Sequence, residues 1–110
     1  MVRNVKSKEN VQPIEALKGV FRRTLLYNDS LMLCHFTLEK NSEIPIHSHK
    51  ESQIGYVIKG KIKFITENEE FIAKSGDSYV FESNEKHGAN ILEDSEVIDV
   101  FNPSREDYKD

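Results

Sequence analysis

From Gly19 onward the chain is a series of short apolar runs cut by turn signals, a pattern that points to many short β-strands and little else. The runs fall at residues 20–26, 31–38, 54–58, 61–66, 71–73, 78–81 and 97–101. Asn28-Asp29-Ser30, Glu39-Lys40-Asn41-Ser42, Glu67-Asn68-Glu69-Glu70, Gly76-Asp77 and Asn102-Pro103 punctuate them. A helical period is suggested only at residues 14–18, too short a stretch to stand alone. Many short strands in a small chain predict a sandwich or closed barrel, because closure removes exposed sheet edges. At 110 residues the chain fits one domain with one core. Residues 1–13 are polar and predict a flexible N-terminal arm, leaving 14–110 for the domain.

Composition narrows the function. With 15 Lys+Arg against 19 Asp+Glu the net charge is −4, which argues against nucleic acid as a partner. No apolar stretch approaches the roughly 20 residues that span a bilayer, and the N-terminus lacks the apolar segment of a secretory signal. The expected location is therefore the cytoplasm, with no membrane partner. The single cysteine, Cys34, supports neither an internal disulfide nor a multi-thiolate metal site, and reads as a small buried hydrophobe.

Among four histidines, His47 and His49 form an HxH pair. Residues two apart in a strand face the same way, so both rings can converge on one point. Gln53 follows four residues later, and His87 must be delivered by the fold. Imidazoles with a side-chain amide suit zinc, nickel, iron or copper. The competing interpretation is a polar pair on a β-surface. His35 competes as a fourth ligand, although a hydrogen-bonded strand histidine is the commoner outcome.

His47-x-His49-x3-Gln53-x6-Gly60 resembles the first motif of the cupins, in which Glu normally stands at position 53. Gly76-x10-His87 resembles their second motif, although Glu82 and Asn84 replace its usual Pro and Gly and Ile91 its frequent Asn. The resemblance implies an all-β, single-domain double-stranded β-helix, or jelly-roll barrel. It also implies one divalent transition ion (zinc, nickel, iron or manganese) bound by His47, His49, Gln53 and His87. A neutral amide in place of a carboxylate leaves the ion its full charge, favouring Lewis-acid over oxygenase chemistry.

The run at 97–101 places one carboxylate, Asp99, in an otherwise apolar strand. A buried carboxylate must be paired, hydrogen-bonded or protonated. A turn at residues 102–104 can fold Arg105 back over the barrel mouth. The plain interpretation is an Asp99–Arg105 salt bridge pinning the tail; the sharper one makes Asp99 an acid/base and Arg105 a carboxylate clamp. The first motif together with residues 99–108 resembles the small cupins of the pectin-degradation KdgF type. That resemblance implies action on unsaturated monouronates from pectin or alginate, which are linearised and ketonised. It implies Asp99 and Arg105 as catalytic residues, Arg105 also holding the substrate carboxylate, and Phe101 as a wall of the substrate pocket.

The alternatives are a cupin acting on another small sugar or carboxylic acid, a non-catalytic sensing or structural cupin, and a dioxygenase, the last disfavoured by the missing Glu. Glu51, Glu82, Asp77 and Tyr56 read as solvated or turn-forming, and Tyr79 and Phe81 as barrel filling. A homodimer is expected, with residues 11–26 offering an extra strand and Phe21 an anchor.

Overall fold

A computed structural model describes residues 4–110. Eight antiparallel strands run in the order β1 (Ile14–Leu17), β2 (Val20–Tyr27), β3 (Met32–Leu38), β4 (Glu43–His47), β5 (Ser52–Thr66), β6 (Glu70–Lys74), β7 (Ser78–Phe81) and β8 (His87–Asn102). Short 3-10 turns cover Lys8–Asn10 and Glu106–Tyr108. No helix among the described residues is long and apolar enough to cross a membrane.

The long strands β5 and β8 pair with each other along nearly their whole length and serve both halves of the barrel. On one half, the C-terminal part of β8 pairs β3, which leads on to β2 and β1, while the N-terminal part of β5 pairs β7. On the other half, the start of β8 pairs β4 and the end of β5 pairs β6. The crease lies where the β5–β8 register shifts, between Val57 and Ile62. Gly60 sits there at φ +104°, where a Cβ would run into Ser95.

The sequence resolves β5 as two runs and β8 only as its last few residues; both are in fact continuous. Residues 14–17, the suggested helical stretch, form the exposed edge strand β1. The turn before His87 works because Asn84, where the cupin motif has Gly, takes a left-handed conformation at φ 64°, which Asn tolerates.

Alternation sorts the side chains. Met32, Cys34, Phe36 and Leu38 of β3 face inward, as do Val97, Asp99 and Phe101 of β8. Cross-strand register lines these up in rows. One row reads Met32, Phe101, Gln53, Phe81; the next reads Thr24, Cys34, Asp99, Gly55, Tyr79. The second row gathers polar groups around Asp99 within a largely apolar interior. The Cys34 thiol is fully buried and pushed up to about 11 by that burial, so it is an inert part of the core.

Candidate metal and acid-binding site

His47, at the end of β4, lies directly opposite His87, at the start of β8. His49 is beyond the strand, in the loop leading to β5, so strand periodicity alone does not bring the pair together. Backbone carbonyls do. The Nδ1 of His47 meets the Pro45 carbonyl at 2.9 Å, that of His49 the Glu51 carbonyl at 2.8 Å, and that of His87 the Glu85 carbonyl at 2.8 Å. A carbonyl only accepts, so each Nδ1 carries the proton and each Nε2 keeps its lone pair.

The available ligand atoms of the three rings lie within 4.8 Å of one another. The Nε2 of His49 is buried and has no hydrogen-bond partner, a costly state unless something else binds there. Burial holds His49 below the ordinary histidine range and pushes His87 down to about 4, keeping both rings neutral. Phe81 stacks on His87 with ring centroids 4.2 Å apart and 6° between planes, fixing the ring. Three oriented imidazoles around an orphaned nitrogen fit a transition-metal ion.

A cavity of about 540 Å³ opens from this cluster, within the range of small-molecule sites. Gln53, Asp99, Phe101 and Arg105 line it together with His47 and His87. Asp99 is 4% exposed, and the Tyr79 hydroxyl donates to its Oδ1 at 2.6 Å. Burial lifts its carboxyl to about 6, partly offset by the Tyr79 hydroxyl and the Gln53 amide. Gly55 stands between Asp99 and Tyr79 in the same row, and a Cβ there would collide with both. Its missing side chain is what lets Tyr79 reach across β5.

The Asp99–Arg105 salt bridge is not formed. Arg105 instead grips Asp107 with Nε at 3.2 Å and Nη2 at 2.8 Å, and its guanidinium lies 3.8 Å from the Tyr108 ring centroid. The tail thus does fold Arg105 back over the cavity, against Tyr108 and Phe101. His35 faces the other side of β3, where its Nε2 meets Glu96 at 2.9 Å, so it is not a ligand of this cluster. Glu51 is buried rather than solvated, 6% exposed with a carboxylate oxygen 3.8 Å from His49 Nδ1, where it supports that ring electrostatically.

Two lining residues escape a reading of the sequence. Tyr79 looks like barrel filling because its partner is twenty residues away. Arg22 looks like surface, yet it is buried on the inner face of β2 with Val20 and Thr24. The only available signal is alternation, which pairs Arg22 with Val20 but does not say which face is inside.

An antiparallel barrel carrying a histidine triad is the architecture of the cupins, and residues 34–101 match the family described as "Cupin domain". The chain belongs to that family. It is 36% identical over 92 residues to the pectin degradation protein KdgF of Dickeya dadantii (strain 3937), covering 82% of this chain and 84% of that protein. The solved structure of KdgF from Halomonas sp. superposes with a TM-score of 0.86 at 30% identity, covering 92% and 95% of the two chains. An RmlC-like cupin from Shewanella frigidimarina NCIMB 400 gives 0.88 at 28% identity, covering 94% and 93%.

Proposed function

We propose that this cupin binds one divalent transition ion through His47, His49, Gln53 and His87. It uses the ion to open and ketonise unsaturated monouronates of the kind released in pectin or alginate breakdown. The reading is carried by one observation: an oriented histidine triad opens onto a single cavity that two of its rings, a buried carboxylate and an arginine line together. Similarity to two KdgF proteins, one of them named for pectin degradation, supports the substrate class.

The reaction is an isomerisation. The hemiacetal hydroxyl loses a proton as its carbon–ring-oxygen bond breaks, and the ring oxygen becomes an enol hydroxyl. That enol then loses its oxygen proton while the far carbon of the double bond gains one, giving a ketone. When bound, the metal supplies Lewis-acid stabilisation of oxyanion character. Asp99, with its carboxyl at about 6, can both take and return a proton near neutral pH. The Tyr79 hydroxyl holds one Asp99 oxygen and so orients the carboxyl. Arg105 receives the substrate carboxylate through paired N–H donors, exchanging it for Asp107. Phe101 walls the sugar face.

Loss of the double bond conjugated to the carboxylate removes an ultraviolet absorbance. The wild-type chain should accelerate this loss beyond its spontaneous rate. Asp99→Asn should abolish the acceleration while elemental analysis finds the metal intact. Full activity in that variant would eliminate the proton-transfer role of Asp99. The partner is thus a small sugar acid, together with a second copy of the chain. The outer face of β5 and β7 presents Ile54, Tyr56 and Val80, each about half-exposed, as an apolar surface for that pairing.

A further inference from the structure

The inward face of β2 carries Arg22, which lines the same cavity as Arg105. A buried cation needs a counter-charge, and Arg22 obtains it from the tail: its Nη2 meets Asp110 Oδ1 at 2.6 Å. Its Nε donates to Thr24 Oγ1 at 3.2 Å, and its guanidinium rests 4.2 Å from the Tyr108 ring centroid. Arg105 repeats the arrangement with Asp107 and the same ring.

The two ion pairs share an asymmetry. The side chains of Arg22 and Arg105 are 7% and 11% exposed, while those of Asp110 and Asp107 are 36% and 64% exposed. Arg22 is held on a strand paired on both sides, by β1 and β3, whereas Asp110 is at the end of the tail. The cation is thus fixed and faces the cavity, and its carboxylate partner approaches from the solvent side. A carboxylate brought into the cavity competes for the same donors.

We propose that Arg22 is a second carboxylate-binding residue of this cavity, engaging an anionic sugar acid in exchange for the side chain of Asp110. The inference rests on the reading of the cavity as a sugar-acid site. It extends that reading from one guanidinium to two, with Tyr108 as the ring both lie against. Selection of acids over neutral sugars then depends on Arg22 as well as Arg105, and Asp110 tunes it by occupying the Arg22 donors when no ligand is present.

The test is calorimetric titration of D-galacturonate, with D-galactose as the neutral control, into the metal-loaded full-length chain. Asp110→Asn removes the competing charge and should tighten galacturonate binding by roughly fivefold, with galactose unchanged. Arg22→Gln should weaken galacturonate by roughly tenfold or more, again without affecting galactose. Unchanged or weaker galacturonate binding by Asp110→Asn would overturn the proposal and leave Arg22 as an anchor for the tail. Asp110 is at the surface, so that variant decides the matter even if Arg22→Gln does not fold. Galacturonate lacks the double bond that the proposed reaction consumes. A chain that binds it in the expected pattern, yet leaves the unsaturated uronate untouched, loses the proposed reaction and keeps this site. A chain that bleaches the uronate but ignores Asp110→Asn does the reverse.

Discussion

Replacing Asp99 by Asn should make the metal-free protein more stable at neutral pH. Asp99 has an ordinary pKa of 3.8 in the unfolded chain and about 6 in the folded one, because burial penalises its charge. A carboxyl raised in this way favours folding in its protonated form. The cost of ionising it is small near pH 4, grows between about pH 4 and 6, and is fully present above that range. The gap corresponds to about 3 kcal/mol at neutral pH and above. Asn is isosteric, uncharged, and still accepts the Tyr79 hydrogen bond. For a domain of this size the difference amounts to a melting-temperature gain on the order of 10 °C. Thermal unfolding of the chelator-treated wild type and Asp99→Asn, followed by circular dichroism at pH 4, 6 and 8, tests this. The gain should be large at pH 8 and shrink to little at pH 4. A variant less stable than wild type at pH 8, or a gain independent of pH, would refute the reasoning that an ionisation penalty is stored at this position.

Three further outcomes are expected. Gly55→Ala pushes a methyl into Asp99 and Tyr79, so turnover should fall by roughly tenfold or more and stability by on the order of 2 kcal/mol; wild-type values of both would show that the close approach is dispensable. Gln53→Glu makes one proposed metal ligand anionic and should retain metal on elemental analysis while slowing chromophore loss roughly tenfold; unchanged turnover would remove the argument that a neutral amide matters. Light scattering should give a dimer mass, and Tyr56→Asp on the outer face should reduce it to the monomer; a monomeric wild type would dispose of the pairing.

How far the sequence could carry these conclusions depended on whether a property was local. Turn residues and alternation are local, which is why β3 and β7 are readable almost to the residue. The continuity of β5 through Gly60 is not, because part of what demands the glycine, its close approach to Ser95, comes from a strand far away in sequence. The triad was legible because spacing and residue type survive in the chain. What orients its rings was not, since the Nδ1 partners are backbone carbonyls that any residue supplies. The charged lining shows the same limit. Asp99 is conspicuous among apolar neighbours, whereas alternation puts Arg22 and Arg23 on opposite faces of β2 without saying which face is inside. The Asp99–Arg105 pairing was a reasonable reading of proximity in the chain, but the nearer carboxylate of Asp107 takes the guanidinium.

The continuity of β8 has a mechanical consequence. One unbroken ribbon begins with His87 and ends past Asp99 and Phe101, and β5 runs alongside it for almost the same span. The metal-gripping end and the proton-handling end are therefore two points on one continuous strand, joined through the crease where its pairing with β5 shifts register. The segments not tied into that paired ribbon, the strap that follows Pro103 and the loop bearing His49, are the natural places to retune what the barrel accepts.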